Sequence, residues 1–401
     1  MRRTGTAGWA RVWTAAVAAL ALLAAGCSDS PDSSSAASSS SSAVAEVTTV
    51  VNAAKAFADS LDQTQREQAL LELTEADAVA WSNLPCGQSC RGGVPLGDLS
   101  EQQQALADTL LKAALGTGDS GWTRVEQLRV ADEYLAGLQS SGQGGGPGGG
   151  TPPSGSPDQG TPPGGGTPPS GAPDGGMPQG GGLGGYGAGL YDLALLGSPS
   201  TDGTWILHFG GHHLAVNFTY RDGAVAGPSP YFVGVEPTSF ETGGTAYTPL
   251  RDMADAVRAA TAGLSADQLA RAKLGESFTD VLMGPGKDGQ FPETKQGLAV
   301  SELNADQKQL VLAAMRPWVG IADDATAAAT LAGYEKDLDE TYLAYSGGTG
   351  LTAQGDYFRL DGPGVWIEFV CQNGVVVQDQ IHYHTIWRDH TRDYGGEFTF
   401  R

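Results

Sequence analysis

The stretch Thr204-Trp-Ile-Leu-His-Phe-Gly-Gly-His-His-Leu-Ala-Val-Asn-Phe-Thr-Tyr220 predicts two antiparallel strands joined by a short turn. Its flanks carry the aromatic and branched residues that are typical of strands. Glycine adopts positive φ readily, so we expect Gly210-Gly211 to form a two-residue hairpin turn. That turn would pair His208 with His213 on one face of the hairpin and Phe209 with His212 on the other. A β-bulge at the glycines is the alternative, and it would turn His212 inward.

Helices and further strands are predicted on both sides of this hairpin. Apolar residues recur at helical spacing in several segments, and three helix starts share a capping-box pattern, with Ser100, Ser265 or Asn304 followed three residues later by Gln. The predicted helices are 47–61, 100–115, 123–138, 249–262, 265–275, 304–319 and 323–345, and the later strands are 357–360, 365–370 and 378–387. Because these elements lack a regular β-α-β rhythm, we predict an α+β fold in which helices cover one antiparallel sheet in a single globular domain.

The N-terminus has the pattern of an export signal. Arg2, Arg3 and Arg11 precede an apolar run that ends in Leu22-Leu-Ala-Ala-Gly-Cys27, which is similar to a bacterial lipobox. We therefore expect residues 1–27 to be a lipoprotein signal peptide, with an ordinary cleaved signal as the alternative. A lipid on Cys27 would anchor the protein to the cell membrane on its extracytoplasmic side.

Composition divides the remaining chain into four segments. Residues 28–43 are rich in Ser and Ala and are predicted to be a flexible tether, whereas 44–140 is the helical N-terminal part of the domain. Residues 141–188 are rich in Gly and Pro, so we expect a disordered insertion there. Residues 189–401 form the α+β part of the same domain and contain every histidine.

Charge and cysteine content exclude some classes of function. The 23 Lys and Arg against 45 Asp and Glu give a formal net charge of −22, which argues against a nucleic-acid partner. Export makes a disulfide between Cys86 and Cys90 plausible, and the spacing lacks the second pair that a zinc site of this type would need. Cys371 lies in an apolar run and is predicted to be a buried thiol.

The six histidines fall in two short segments, and this is the strongest functional signal. His208, His212 and His213 lie in the hairpin, and the others lie in His382-Tyr-His-Thr-Ile-Trp-Arg-Asp-His390. On a strand, His382 and His384 share one face and can bind a single ion. We therefore predict a site for zinc or copper formed by His212, His213, His382 and His384. A metal-free catalytic or ligand-binding site and a purely structural network are the alternatives.

A carboxylate inside an apolar strand is the second signal. Glu368 lies in Val365-Trp-Ile-Glu-Phe-Val370, where an ionised group is costly unless it has a partner. That partner is Arg388, Arg359 or a metal. We consider Glu368 and Arg388 candidate catalytic residues, as a general base and as a cation that stabilises an anion. Asp389 is a candidate for orienting an imidazole.

These segments together resemble the family catalogued as domain of unknown function 3500, found in bacteria and fungi. The resemblance runs from about Val47 to the C-terminus and rests on motifs in order: Trp81-Ser-Asn-Leu-Pro85, the Gly-His-His of the hairpin, Arg359-Leu-Asp-Gly-Pro363 and His-x-His-Thr-x-x-Arg-Asp. It gives weight to the histidines at 212, 213, 382 and 384 and lowers that of His208 and His390. It also implies that Trp81, Ser82, Asn83 and Arg91 line the same cleft.

Three functions are compatible with the sequence. The first is a surface-anchored metal-binding lipoprotein. The second is an exported hydrolase, with or without a metal, that uses the same His, Glu and Arg residues. The third is a non-enzymatic lipoprotein that binds a small polar molecule. The sequence contains no G-x-S-x-G or H-E-x-x-H motif to decide among them.

Overall fold

The computed structural model of the protein describes residues 33–142 and 185–400, with side chains from residue 45 onward. The predicted signal peptide and lipobox therefore lie outside the described residues, as do 28–32 of the tether and most of the predicted insertion. Residues Ser41–Arg401 form one compact unit, and of the preceding unit only the helical backbone from Ser33 is described. Among the described residues, no helix is both long and apolar enough to cross a membrane.

Helices and strands alternate in groups along the described chain. The α-helices are α1 Ser33–Ser60, α2 Gln63–Ala69, α3 Glu75–Ala78, α4 Glu101–Ala114, α5 Trp122–Ser140, α6 Arg251–Ala262, α7 Ala266–Ala272, α8 Ala305–Val319 and α9 Asp324–Lys336. The strands are β1 Leu70–Leu71, β2 Val94–Pro95, β3 Asp192–Leu196, β4 Thr204–Gly211, β5 Leu214–Arg221, β6 Ala224–Gly227, β7 Tyr231–Val235, β8 Phe240–Thr242, β9 Thr245–Tyr247, β10 Leu298–Ala299, β11 Tyr342–Ser346, β12 Tyr357–Asp361, β13 Val365–Asn373 and β14 Ile381–Asp389.

One large sheet organises the molecule, with strand order β1-β3-β4-β5-β7-β14-β13-β12-β11-β10. All of its pairings are antiparallel except the short β1–β3 contact, so the predicted α+β class is confirmed. The order is symmetric about the central β7–β14 pair. On one side β5, β4 and β3 run outward to β2, and on the other β13, β12 and β11 run outward to β10. The two halves of the chain therefore build the same arrangement of strands.

The two faces of the sheet differ in chemistry. One face presents apolar side chains such as Phe209, Val216 and Phe369, which pack with the buried sides of the helices in the main core. The opposite face combines apolar residues with buried polar ones, including His208, Glu368 and Arg388, and the Trp81 and Phe278 segments pack on it. We call this second face the polar face. It carries the buried polar and ionisable residues that could bind a ligand or take part in catalysis.

The predicted capping boxes at Ser100, Ser265 and Asn304 are present, and the structure adds one at Asp62. Their glutamines also hydrogen-bond to each other in pairs: Gln65 with Gln103 in the first half, and Gln268 with Gln307 in the second. Each pair joins two neighbouring helix starts. The repeated sequence pattern thus reflects the repeated architecture.

Three local predictions differ from the structure. The helix predicted over 323–345 ends at Lys336, because the Tyr342 segment joins the sheet as β11. The tether predicted over 28–43 is helical from Ser33, where Ser and Ala continue α1. The hairpin turn consists of His212-His213 and not of the glycines, since Gly211 pairs with Leu214.

The turn begins one residue later than predicted because Gly211 belongs to the strand, where the ring of Tyr191 leaves no room for a side chain. A Cβ on Gly211 would lie 2.6–2.8 Å from ring atoms of Tyr191, so the glycine permits close packing and not a turn. As a result His208 pairs with Asn217, and the predicted pairing of His208 with His213 does not occur. The disulfide between Cys86 and Cys90 and the buried thiol of Cys371 are both confirmed.

Candidate metal centre

Two distant segments bring three imidazoles together on the polar face. His213 ends the β4–β5 hairpin turn, and His382 and His384 lie on β14. Strand β7 lies between β5 and β14, and its Gly234 pairs with His384 and donates its N–H to the His213 carbonyl at 2.8 Å. The hairpin is thereby fixed next to β14. We call His213, His382 and His384 the histidine cluster.

The cluster is close enough to share an ion. One nitrogen from each of the three rings lies within 4.8 Å of the others, and all three residues are buried. The Nε2 atoms of His382 and His384 are 3.3 Å apart. Zn–N bonds of about 2.0–2.1 Å in a tetrahedron place the ligand nitrogens about 3.3 Å apart. This pair is already at ligand spacing.

The backbone of His213 is unusual and is held from both sides. Its φ is +61°, a left-handed conformation that is uncommon for a residue with a Cβ. Its N–H donates to the carbonyl of Asn83 at 3.1 Å, and its own carbonyl accepts from Gly234. These two hydrogen bonds fix the direction of the imidazole.

Two carboxylates support the histidines from outside the cluster. Asp280 lies 2.9 Å from Nδ1 of His384, and Asp132 lies 2.6 Å from Nδ1 of His212. Because an ionised carboxylate only accepts, Nδ1 of His384 carries the proton and Nε2 presents its lone pair to the cluster. Burial alone would raise the pKa of Asp280, but the interactions with His384, together with the hydrogen bonds from Val281 N and Gln372, outweigh burial and lower that pKa.

The predicted fourth ligand, His212, lies beside the cluster. Its ring stacks on that of His213 with centroids 3.7 Å apart, and the ring of Tyr186 meets it at 4.7 Å. Its Nδ1 is committed to Asp132. The group of nitrogens within mutual reach therefore contains His213, His382 and His384 without His212.

Burial lowers the pKa of two of the three imidazoles, those of His213 and His382. It lowers the pKa of His382 to about 3 and that of His213 well below its usual range, and the neighbouring imidazoles lower both further. Neutral imidazole is the form that ligates metals. At neutral pH His213 and His382 therefore offer lone pairs and carry no positive charge.

Glu368 and Arg388 lie on the polar face but are committed to other partners. The carboxylate of Glu368 accepts four hydrogen bonds, from Leu282 N, Met283 N, Trp366 Nε1 and Tyr357 Oη, at 2.6–2.9 Å. Burial raises the pKa of Glu368, although these bonds oppose the rise. Arg388 pairs with Asp288 and Asp393 at 2.9 and 3.0 Å, so it is not the partner of Glu368.

Distance also separates Arg388 from the cluster. It is four residues along β14 from His384, which corresponds to about 13 Å on a strand. Its guanidinium lies over the ring of Trp81, whose indole N–H donates to Tyr394. Arg388 and Trp81 thus belong to a buried network at the centre of the polar face.

Three other predicted site residues have no side-chain contact with the cluster. Asn83 and Arg91 make contacts to or through backbone carbonyls, and Asp389 lies on the opposite face of the sheet. Asn83 contacts the cluster through its carbonyl, and Arg91 donates to the carbonyls of Ser82, Leu84 and Gly87. Asp389 faces the helical side and accepts from Tyr334, Thr391 and Arg392, so it orients no imidazole.

His208 and His390 lie outside the cluster. His208 is buried opposite Asn217, and His390 is 3.4 Å from Asp361. Asp132, Asp280 and Gly234 were not predicted from the sequence. All three come from elements remote in the chain, and no local spacing marks them.

Comparison with known proteins gives a family and no function. The model of the family described as "Protein of unknown function (DUF3500)" matches residues 43–396. No curated protein and no solved structure matches the chain.

Proposed function

Since the chain belongs to the DUF3500 family, whose function is unknown, we propose a function from the site itself: binding of a zinc or copper ion by His213, His382 and His384. The observation that carries the proposal is the convergence of three buried imidazoles from two remote segments. Structural histidines satisfy their ring nitrogens with hydrogen bonds to other groups. Here instead the Nε2 atoms of His382 and His384 face each other at 3.3 Å.

A bound cation would remove the repulsion between two ring nitrogens that face each other at this distance. Nε2 of His384 presents a lone pair toward Nε2 of His382. A cation between the rings would accept a lone pair from each of these two nitrogens. The positive charge would be offset by Asp280, which touches the far side of His384. Histidine–carboxylate pairs of this kind commonly support metal ligands.

The test is metal stoichiometry of untagged protein. Wild type is loaded with zinc or copper, desalted and analysed by elemental mass spectrometry. We expect about one ion per chain, and loss of the ion in His382→Ala and His384→Ala. His390→Ala is the matched control, because it removes an imidazole just beyond the opposite end of β14 without touching the cluster.

Two results would contradict the proposal. One is less than about one tenth of an equivalent in loaded wild type. The other is equal metal content in the cluster variants and in wild type. Stabilisation by a sugar or peptide in the presence of a chelator would favour instead the metal-free ligand-binding function.

A hydrolase that uses the bound metal is the second candidate. Three protein ligands leave one coordination position open, as in catalytic zinc sites, whereas structural sites are closed by four. Glu368 and Arg388 already have partners, so the reactive group in such an enzyme would be a water molecule on the metal. Hydrolysis found in wild type and lost in His384→Ala would support it, and identical activity in both would exclude it.

We also propose that the domain is held at the membrane through a lipid on Cys27. The support is the sequence pattern of the first 27 residues. Mass spectrometry of the mature N-terminal peptide tests this: a lipid-modified Cys27 is expected, and an unmodified N-terminus at another residue would contradict it.

A further inference from the structure

The loop that holds His213 is closed by a disulfide. We propose that the Cys86–Cys90 disulfide is a redox control on the histidine cluster: the oxidised loop keeps His213 in its metal-binding position, and reduction releases it. This inference rests on the proposed metal binding. We call residues 82–91 the disulfide loop.

The first step is the contact between the loop and the ligand. The Asn83 carbonyl accepts the N–H of His213, which is one of the two hydrogen bonds that hold the residue at φ +61°. A left-handed conformation costs a residue with a Cβ roughly 1 kcal/mol and persists only when its surroundings enforce it. If the Asn83 carbonyl moves, His213 loses one of its two constraints.

The second step is what fixes Asn83. The loop forms little regular structure, with one short 3-10 turn at Gly87–Ser89. The side chain of Arg91 donates to the carbonyls of Ser82, Leu84 and Gly87, and so braces the loop from inside. The disulfide closes the same loop from outside. Reduction would leave the loop held by hydrogen bonds alone, among them those of Arg91 and the one from Gln88 Nε2 to the Gly93 carbonyl.

The third step is access. Cys86 and Cys90 are half-buried at the surface, next to the exposed Gln88 and Ser89. A dithiol can reach them: its thiolate attacks one sulfur, the Cys86–Cys90 bond breaks, and the second thiol closes the reductant's own disulfide. Two electrons and two protons pass to the protein, which then has two free thiols.

The expected effect is bounded by the size of the loop. Closing a five-residue ring is worth at most about a factor of thirty in a conformational equilibrium. Part of that constraint acts on His213 through Asn83. We therefore expect zinc affinity to fall by about threefold to thirtyfold when the disulfide is absent.

The experiment compares zinc dissociation constants of the full chain by competition with a chromophoric chelator. Cys86→Ser/Cys90→Ser removes the disulfide without leaving thiols that could themselves bind zinc. The matched control is Cys371→Ser, which removes the buried thiol on the opposite face. A loss of threefold or more in the double variant, with the control unchanged, supports the proposal.

Equal affinities in the double variant and wild type would overturn it. Circular dichroism shows whether the double variant is folded. If it is not, wild type that has been reduced and alkylated with iodoacetamide gives the second measurement, with the same expected loss. Failure of oxidised wild type to bind either zinc or copper would refute the proposed function instead, and with it this inference.

Discussion

Gly234→Ala tests whether the cluster depends on the small residue of β7 that faces it. A Cβ at this position would lie 2.9 Å from Cδ2 of His384 and 3.0 Å from Cδ2 of His213. Ordinary contacts begin near 3.4 Å, so each imidazole must move by about 0.4–0.5 Å. The same Cβ would lie 2.8 Å from the carbonyl oxygen of Tyr383, which no side-chain rotation can relieve.

The magnitude follows from these contacts. Overpacking a close-packed interior costs about 1–3 kcal/mol in unfolding free energy. Zinc affinity should fall by about tenfold to 100-fold, the range seen when the groups that position metal ligands are disturbed. The assays are urea unfolding of the apo protein and zinc competition with a chromophoric chelator.

Gly333→Ala is the matched control. It lies in α9, where a Cβ would meet no atom within 4 Å, so the change should raise stability by about 0.5–1 kcal/mol and leave zinc affinity unchanged. If Gly234→Ala had the stability and zinc affinity of wild type, the contacts described for the cluster would be wrong.

Three further predictions follow from single side chains. Asp280→Asn should weaken zinc binding by about tenfold with little change in folding, because the side chain is half exposed and acts on His384; chelator competition measures this. Glu368→Ala should lower the unfolding free energy by at least about 3 kcal/mol, since it removes the acceptor of four donors, three of them buried, and urea unfolding would contradict the assignment if the loss were below about 1 kcal/mol. The apo protein should lose about 2 kcal/mol between pH 7 and pH 5 from His382 alone. Its folded pKa of about 3 lies below the unfolded 6.5, so the stabilisation is present above pH 6.5 and declines as pH falls toward 3. A His382→Gln variant with the same pH dependence as wild type would refute this.

Local sequence patterns predicted the secondary structure correctly where the interacting residues lie within one short segment. Capping boxes are of this kind, because the polar residue and the Gln three positions later satisfy each other. The hairpin turn was wrong because its cause is not local: Gly211 is needed in the strand by the ring of Tyr191, twenty residues earlier. Strand β11 was not predicted for a similar reason: its extended conformation depends on pairing with β10 and β12, which lie outside its own segment.

The histidines were predictable and their support was not. Parity along a strand places His382 and His384 on one face whatever the rest of the fold. Their contact with His213 depends on β7 lying between β5 and β14, and Asp280 reaches His384 from a loop about a hundred residues earlier. Such contacts depend on topology, which residue spacing does not encode.

The repeated architecture explains why the cluster occurs in one half of the sheet. The β12–β13 hairpin has the same two-residue turn as β4–β5, since Gly362 N donates to the Val365 carbonyl, and Pro363-Gly364 replaces His212-His213. Gly364 has no imidazole, and a Cβ there would already be 3.2 Å from the ring of Tyr334. That ring is buried and donates its hydroxyl to Asp389. In the second half, therefore, an aromatic side chain fills the space next to the turn, whereas in the first half the turn supplies an imidazole of the histidine cluster.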